Sequence, residues 1–328
     1  TPIHLSDLPR LLKSGRMKIG VCFVQVARGR DSKKFSLGLN ADVIRTAMQN
    51  SDCIVAQVND QMPFTYGETL IHKGEIDYLI EESIEIPKWE VDRTKGEIED
   101  AIGRQVASLV PNGATLQLGL GRLPDLMADY LLEKKDLGVH TEMFSDGLMK
   151  LVQAGVVNNR KKAFDIDACV TSMAWGTQEL YDFLNENPEV RFMGTEYVND
   201  PRRIGMHEKM VSIQTALEVD LSGQVSSDSA DGKIYSGIGG QVDFFRGAAL
   251  ADVGRPILVL PSRSLDGKYS RIVFHLLEGA GVVTSRGDVH YVVTEYGTAD
   301  LFGKTVQDRA LSLIEIAHPD FRDELHNQ

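Results

Sequence analysis

The chain has few cysteines and no long apolar run. Its 328 residues include three cysteines, Cys22, Cys53 and Cys169, which lie in apolar segments without CxxC spacing. This usage is typical of reduced core residues rather than of a disulfide framework. No segment approaches the roughly 18 consecutive apolar residues of a membrane-spanning helix, and no signal peptide is recognisable. The sequence therefore predicts a cytoplasmic protein with no membrane partner.

Positive charge is also scarce. The chain has 35 Lys and Arg residues against 47 Asp and Glu residues, which gives a formal net charge of −12. Because neutralising phosphates requires a basic face, this balance argues against a nucleic-acid partner. A few local cations and amide donors would still be enough to bind a small anionic ligand. The length and the 42% apolar content indicate a large core and predict two domains.

Apolar strand-like runs alternate with segments of helical period. This alternation predicts an α/β fold with a substantially parallel sheet. Strands are predicted at residues 18–26, 52–58, 114–120, 139–144, 164–171, 210–220, 256–261 and 289–294, and helices at 41–50, 97–109, 124–132, 148–154, 178–184 and 306–316.

Local signals mark two helix starts and one linker. Pro124 fits a first helical turn, and Asn40 or Asp42 is suited to cap the helix that follows Leu39. The polar, proline-bearing stretch at residues 86–95 predicts a linker. It would divide a first domain, residues 1–88, from a second domain, residues 96–328.

Two glycine loops flank a lone carboxylate in the sequence. The first loop, G-L-G-R-L-P at residues 119–124, leaves an apolar strand and enters a helix, so its amides can face an anion. It is neither a Walker A loop nor a complete Rossmann fingerprint, which disfavours a plain nucleotide-binding domain. The second loop, G-I-G-G at residues 237–240, permits a ligand to approach the backbone closely. A β-bulge or a hairpin turn would favour the same glycines.

The carboxylate is Glu142, which stands at the end of an apolar strand after the first loop. Ligands of open α/β sheets bind beyond the carboxyl ends of the strands, so this position is suited to a functional group. His140 and Glu142 form an H-x-E pair, as in zinc deaminases, but the P-C-x-x-C ligand pair of those enzymes is missing. The sequence therefore predicts no metal site, and His140 is interpreted as a packed or hydrogen-bonded strand residue.

Together these segments resemble the acetyl-CoA hydrolase/transferase family of class I CoA-transferases, and especially its 4-hydroxybutyrate CoA-transferase type. The resemblance extends from V-A-Q-V-N-D-Q-M-P at residues 55–63 to I-A-H-P-D-F-R at residues 316–322. It implies CoA-transferase-like domains with mixed or parallel sheets and flanking helices, and it suggests a homodimer. Members of this family begin upstream of Thr1, so the first domain is expected to be truncated.

The resemblance implies that Glu142 is a nucleophile. A carboxylate of ordinary pKa is ionised at neutral pH and needs no general base. Attack on an acyl-CoA gives an acyl-glutamyl anhydride and CoA thiolate, which then yields a glutamyl-CoA thioester and a free carboxylic acid. A second carboxylic acid reverses these steps. The implied substrates are an acyl-CoA and a short-chain carboxylate of the acetate, butyrate or 4-hydroxybutyrate type, with no tightly bound cofactor.

The resemblance also implies roles for the residues of both loops. Contacts with CoA are expected from Gly119, Leu120, Gly121, Arg122, Leu123, Gly237 and Gly240. Gly239 and Gly240 are expected to stabilise the oxyanion of the thioester carbonyl. Arg122 is expected to pair with a CoA phosphate, to narrow the site or to face water.

A second strand-end carboxylate, Glu295, is expected to support the active site near Ser226, Ser227 or Asp228. An ordinary capping role for Glu295 is the alternative interpretation. Glu218, which lies in a strand-like run, is interpreted as structural.

Two other functions stay open from the sequence. An acyl-CoA hydrolase would share the covalent intermediates and differ only in how well water is excluded. A non-catalytic CoA-binding module would be consistent with a truncated first domain.

Overall fold

A computed structural model describes residues 1–31, 33–230 and 232–328. None of the helices in these ranges is long and apolar enough to cross a membrane. In chain order the helices are Leu8–Lys13 (α1), Ile44–Gln49 (α2), Glu97–Leu109 (α3), Arg122–Met127 (α4), Asp146–Gln153 (α5), Gln178–Leu184 (α6), Thr195–Val198 (α7), Pro201–Ile204 (α8), Gln241–Leu250 (α9), Val306–Ile316 (α10) and Pro319–Asn327 (α11). Short 3₁₀ turns cover Leu5–Asp7, Lys73–Glu75 and Ala128–Leu131.

The strands form a large mixed sheet, a smaller mixed sheet and two short additions. They are Ile19–Arg28 (β1), Lys34–Ser36 (β2), Ser51–Val58 (β3), Tyr66–Gly67 (β4), Leu70–His72 (β5), Tyr78–Glu81 (β6), Thr115–Leu118 (β7), Gly138–Phe144 (β8), Cys169–Ala174 (β9), Val190–Phe192 (β10), Met210–Thr215 (β11), Glu218–Asp220 (β12), Val225–Ser226 (β13), Ser229–Ala230 (β14), Lys233–Ile234 (β15), Arg255–Val259 (β16), Ile272–Val273 (β17), Tyr291–Thr294 (β18) and Gly297–Asp300 (β19).

The large sheet has the order β19-β18-β16-β11-β7-β8-β9-β10-β4. Its neighbouring strands run parallel from β18 to β4, and only β19 pairs in the antiparallel direction, on β18. Because parallel strands need helical crossovers, helices pack on both faces of the sheet and the central strands are buried. Strand β7 is buried at all four of its positions. The predicted α/β class is confirmed.

Successive residues of one strand show how the two faces are filled. On β16, Ile257 joins a cluster with Ile102 of α3 and Leu126 of α4. The next residue, Leu258, joins a different cluster, which contains Leu313 of α10. Side chains alternate between the faces of a strand, so consecutive apolar residues stabilise both layers. At roughly 1.5–3 kcal/mol for each large apolar side chain, this burial dominates the stability of the sheet.

The smaller sheet has the order β5-β2-β1-β3-β6 and contains the first strands of the chain. One of its faces buries Val26 and Ala56 in a cluster with Met48 of α2. On the other face, the side chain of Phe23 is 75% exposed. Strand β4, at residues 66–67, pairs with β10 and so extends the large sheet. Residues 83–96 form neither helix nor strand, but the division into two domains stays a prediction.

Several predicted elements have different bounds, each for a local reason. The helices at 97–109, 178–184 and 306–316 are confirmed, and Pro124 lies in the first turn of α4. The strand predicted at 164–171 begins only at Cys169, because Asp165 and Asp167 have φ angles of 50° and 63°. A left-handed backbone interrupts extended structure.

Two further sequence interpretations are wrong in detail. The strand predicted at 210–220 is divided into β11 and β12. The predicted cap of the second helix is also wrong, because α2 begins after Val43 with no side-chain cap. The backbone amides of Ala41 and Asp42 instead donate to the carbonyl oxygen of Ser172 on β9. This attaches the segment before α2 to the large sheet.

Candidate active site

Strand β8 positions Glu142 two residues before its end. The strand pairs with β9 at Thr141 and again at Met143, and the ladder is interrupted between these two positions. At the interruption, the carbonyl oxygen of Glu142 accepts hydrogen bonds from the hydroxyls of Thr171 at 3.1 Å and Ser172 at 2.9 Å. Side chains of the neighbouring strand therefore fix the backbone from which the carboxylate projects.

The carboxylate of Glu142 lies between an amide side chain and the start of α9. The Nδ2 of Asn199 donates to its Oε2 at 2.7 Å. On the other side, a Cβ built on Gly240 would stand only 1.7 Å from the same oxygen. The φ angle of Gly240 is −100°, which any residue can adopt. Glycine is therefore needed here for space and not for backbone freedom.

The pKa of Glu142 is raised to about 7, chiefly because its side chain is buried. The hydrogen bond from Asn199 acts to lower this pKa, and the negative charges of Asp42 and Asp243 act to raise it. Burial also raises the pKa of Asp42, to about 6. The ordinary pKa assumed from the sequence is therefore wrong for this site. Near neutral pH, Glu142 exchanges between its acid and carboxylate forms.

Glu142 opens into a cavity of about 540 Å³. Residues 117–120, 214–215 and 236–241 form much of its wall, and they are joined by Met143, Met173, Ser227 and Asp228. Strands β7, β8 and β11 are neighbours in the large sheet, and all three end at this cavity. Their common edge is where the topology of an open α/β sheet places a ligand.

The N-terminal segment closes one side of this cavity. Thr1, Ile3, Leu5 and Leu8 line it with largely apolar side chains. The amide of Leu5 donates to the carbonyl oxygen of Gly239 at 3.3 Å, which ties the segment to the second glycine loop. The first residues of the chain and a loop more than 230 positions later thus form one wall.

The first glycine loop contributes only part of its predicted contacts. Gly119 and Leu120 line the cavity, and a Cβ on Gly119 would overlap the Oε1 of Gln214. Gly121 immediately precedes α4 with a φ angle of 127°, a conformation that favours glycine, but it does not line the cavity. Leu123 packs against the main core cluster. The CoA contacts predicted for Gly121 and Leu123 therefore find no support in this geometry.

Arg122 has hydrogen-bond partners within the protein, and its predicted pairing with a CoA phosphate stays a prediction. Its guanidinium donates to the carbonyl oxygens of Asp92 and Thr94 and pairs with the carboxylate of Glu99 at 2.6 Å. These partners belong to the predicted linker and to α3, so Arg122 attaches the linker to the start of α4. The cation neither lines the cavity nor faces only water.

The second glycine loop lies at the cavity as predicted. Gly237, Gly239 and Gly240 all line it. Gly239 has a φ angle of 68°, the left-handed region that favours glycine, whereas a Cβ on Gly237 would meet nothing within 4 Å. Gly240 immediately precedes α9. The loop therefore brings backbone amides and a helix start close to Glu142.

Glu295 is hydrogen-bonded to Ser262, and neither residue lines the cavity. The supporting role predicted for Glu295 near Ser226, Ser227 or Asp228 stays a prediction. The carboxylate of Glu295 accepts hydrogen bonds from the amide and the hydroxyl of Ser262, at 2.9 and 2.6 Å. Glu295 follows β18, and β16, β11 and β7 separate that strand from β8. The four inter-strand spacings from β18 to β8 correspond to a separation of roughly 19 Å across the sheet. The carboxylates close to Glu142 are instead Asp42 and Asp243.

His140 is a packed strand residue, as the sequence indicated. It is fully buried, and its Nε2 lies 2.8 Å from the carbonyl oxygen of Val198. Burial lowers its pKa to about 3, so the ring is neutral and Nε2–H donates to that carbonyl. Glu218 is likewise structural, because its carboxylate accepts the amide of Leu277 at 2.8 Å. Among the residues with described positions, no group of three His, Cys, Asp or Glu side chains is arranged to hold a metal ion.

Sequence reasoning missed three polar residues that surround Glu142. Asn199 lies between α7 and α8, 57 positions beyond Glu142. Asp42 precedes α2, and Asp243 lies in the first turn of α9. The only local signal was the N-D-P turn at residues 199–201, which indicates a helix start and nothing about Glu142. Tertiary folding alone brings these residues together.

The arrangement of a strand-end carboxylate and two glycine loops around one cavity is suited to acyl transfer, and comparison with known proteins identifies the family. The N-terminal domain of acetyl-CoA hydrolase/transferases matches residues 1–87, and the C-terminal domain matches residues 176–328. The chain belongs to the acetyl-CoA hydrolase/transferase family.

Individual relatives agree with this assignment. A 4-hydroxybutyrate coenzyme A transferase of Clostridium kluyveri is 46% identical over 100% of this chain and 76% of its own length. The crystal structure of RipA from Yersinia pestis has a TM-score of 0.94 at 37% identity, covering 100% of this chain and 74% of that one. A 4-hydroxybutyrate CoA-transferase from Porphyromonas gingivalis has a TM-score of 0.89 at 40% identity, covering 100% of this chain and 79% of that one. The chain thus spans about three quarters of the length of these relatives.

Proposed function

We propose that this protein is a CoA-transferase that moves CoA between an acyl-CoA and a short-chain carboxylate, with Glu142 as the nucleophile. The observation that supports this most directly is the position of Glu142. Its carboxylate opens into the cavity, has a hydrogen bond from Asn199 and touches the start of α9. The relatives named as CoA-transferases support acetate, butyrate and 4-hydroxybutyrate as candidate carboxylates.

In the proposed reaction, a carboxylate oxygen of Glu142 attacks the thioester carbonyl and CoA leaves as thiolate. The product is an acyl-glutamyl anhydride. The thiolate then attacks the glutamyl carbonyl, which forms glutamyl-CoA and releases the first carboxylate. A second carboxylate attacks glutamyl-CoA and repeats these steps in reverse order. The free energy of hydrolysis of the thioester is conserved, because each intermediate is itself an activated acyl compound, either an anhydride or a thioester.

Each attack places a negative charge on a carbonyl oxygen beside Glu142. We propose that the backbone amides of Gly239 and Gly240 and the Nδ2 of Asn199 stabilise that charge. Donors of this kind are each worth about 3–4 kcal/mol in acyl transfer. Gly119, Leu120 and Gly237, which line the cavity, are proposed to contact CoA.

The test is incubation of the protein with acetyl-CoA or butyryl-CoA. We expect the peptide that contains Glu142 to gain the mass of one CoA less one water. Free thiol should accumulate slowly, and adding a second carboxylate should yield a new acyl-CoA. Rapid thiol release without an acceptor would instead identify an acyl-CoA hydrolase. Binding of CoA in calorimetry with neither adduct nor turnover would identify a non-catalytic binding module.

The raised pKa of Glu142 leads to a prediction about pH. Only the carboxylate attacks, so kcat/KM for acyl-CoA should fall as the pH decreases through about 7. An ordinary glutamate would place this fall near a pH of about 4.3. The charge of Asp42 raises the pKa of Glu142, so Asp42→Asn should shift the fall to lower pH. A flat profile between pH values of about 5 and 8 would contradict the proposed ionisation.

We further propose a cytoplasmic homodimer that needs no tightly bound cofactor. All three cysteines are free, which supports a reducing compartment. The exposed Phe23 face of the smaller sheet offers apolar surface for a second subunit.

A further inference from the structure

His140 holds the peptide unit from which Asn199 projects. Its Nε2 lies 2.8 Å from the carbonyl oxygen of Val198. The N–H of the same peptide unit, which belongs to Asn199, donates to the carbonyl oxygen of Thr195 at 2.9 Å. Val198 ends α7, and the last carbonyl groups of a helix have no partner within the helix. The bond from His140 therefore satisfies such a carbonyl and fixes the plane of the peptide before Asn199.

The imidazole ring of His140 contributes one directed hydrogen bond. A carbonyl oxygen only accepts, so the Nε2 of the ring carries the hydrogen. The other ring nitrogen, Nδ1, is buried and has no hydrogen-bond partner in the part of the chain that the structure describes. Three further rings pack around the imidazole with their centroids 5.1 to 6.4 Å away, those of Phe164, Tyr197 and His207. This packing holds the ring in the orientation in which Nε2 faces the peptide before Asn199.

Strand β8 holds Asn199 at two points. His140 and Glu142 are two residues apart on this strand, so their side chains lie on the same face of the sheet. His140 donates to the peptide before Asn199, and Glu142 accepts a hydrogen bond from the Nδ2 of Asn199 at 2.7 Å. The side-chain oxygen of Asn199 is buried and has no partner among the described residues, so it does little to fix the amide. The placement of Nδ2 therefore depends on how firmly the backbone of Asn199 is held.

We propose that His140 is a positioning residue that holds Asn199 where its amide donates to Glu142. This rests on the proposed function and deepens it, because Asn199 is one of the donors proposed to stabilise the charge of the reaction. His140 is fully buried and does not line the cavity, so it acts through Asn199 and not on the substrate. The H-x-E spacing at residues 140–142 then has a reason in the fold. One residue supplies the nucleophile, and the other places the hydrogen-bond donor of that nucleophile.

A matched pair of substitutions tests this role. The amide nitrogen of glutamine can occupy the position of Nε2 in histidine, whereas that of asparagine, one methylene shorter, reaches only the position of Nδ1. Both variants bury an amide in place of the ring. The readout is the rate of glutamyl-CoA formation at a pH of about 9, where Glu142 is largely ionised. We expect His140→Gln to stay within about threefold of the wild-type rate and His140→Asn to be about 10- to 100-fold slower.

The pH profile gives a readout that a loss of stability alone would not move. The hydrogen bond from Asn199 acts to lower the pKa of Glu142, against burial and the charges of Asp42 and Asp243. A misplaced Asn199 stabilises the carboxylate less. The fall in kcat/KM at low pH should therefore occur at a pH roughly one unit higher in His140→Asn and stay in place in His140→Gln.

A double-mutant cycle shows whether His140 acts through Asn199. In the Asn199→Ala background, His140→Asn should slow adduct formation by less than about threefold, because the amide that it places is gone. Full multiplication of the two losses, or an unmoved pH profile in His140→Asn, would overturn the inference. If His140→Asn fails to fold, His140→Leu, which removes the donor without burying an unpaired amide, takes its place with the same expectations.

The wild-type protein separates this inference from the proposed function. If it forms no adduct at Glu142, the proposed function fails and this inference with it. If it forms the adduct and the two amide variants at position 140 have equal rates, this inference alone fails.

Discussion

Replacement of Glu142 by glutamine should lower CoA transfer by roughly 10⁴-fold or more. Glutamine has the size and shape of glutamate, and its carbonyl oxygen can still accept the hydrogen bond that Asn199 gives to Oε2. The amide is a far poorer nucleophile than a carboxylate and forms no anhydride with an acyl group. The measurements are the initial rate of transfer between butyryl-CoA and acetate and the mass of the peptide that contains residue 142.

Glu295→Gln is the matched control. Glu295 also follows a strand of the large sheet, but its carboxylate is bound to Ser262 and does not line the cavity. This variant should transfer CoA within about threefold of the wild-type rate, since changes away from a site rarely alter it. Equal losses in the two variants would mean that the effect of Glu142→Gln reflects general damage to the sheet. Undiminished transfer in Glu142→Gln would refute Glu142 as the nucleophile.

Binding of CoA should survive in Glu142→Gln. The second glycine loop and the N-terminal segment form a large part of the cavity wall, and the substitution changes neither of them. The charge that repels an anionic ligand is removed, so affinity should stay equal or increase. Calorimetric titration with CoA measures this directly. Retained binding without turnover would show that the variant has lost the reaction step and not its affinity for CoA.

The parts of this site that the sequence predicts are those encoded over a few neighbouring residues. Glu142 follows an apolar strand, and each glycine loop lies where a strand or turn meets a helix start. Such patterns locate the edge of a parallel sheet where ligands bind. Gly240 was predicted to be part of the site, and it lines the cavity beside Glu142. The reason why this position requires glycine is that the carboxylate of Glu142 needs the space, and this becomes visible only in the folded structure.

The parts that the sequence does not predict depend on long-range packing. Asn199 and Asp243 reach Glu142 only after the helices fold onto the sheet, and the shift of its pKa follows from burial. The partners of Arg122 were not predicted either. A cation in a glycine loop has the same local sequence whether it faces a ligand or, as here, the linker carbonyls and Glu99. The sequence indicated that Glu295 follows a strand, and it does. That strand, β18, lies beside β16 and not beside β8, and the sequence did not predict this order.

Gly240→Ala should lower kcat by roughly 100-fold or more with little change in overall stability. A methyl group at this position would overlap Oε2 of Glu142 and Nδ2 of Asn199. The backbone of Gly240 already has a conformation that alanine adopts, so the strain falls on the two side chains. The carboxylate must move by about 1 Å or more, and a misplacement of that size can cost roughly 10²-fold in rate. The measurements are kcat and the rate of glutamyl-CoA formation, with thermal unfolding as the check on folding.

Gly237→Ala, three residues earlier in the same loop, separates displacement of the nucleophile from a general effect of stiffening the loop. Its added methyl group would meet nothing within 4 Å, and alanine reduces backbone freedom at both positions alike. We expect kcat in Gly237→Ala to stay within about fivefold of wild type, with any loss appearing in KM because Gly237 lines the cavity. Equal losses of kcat in the two variants would mean that loop flexibility limits turnover. A loss confined to Gly240→Ala would show that the reaction requires the space which a missing side chain leaves for Glu142.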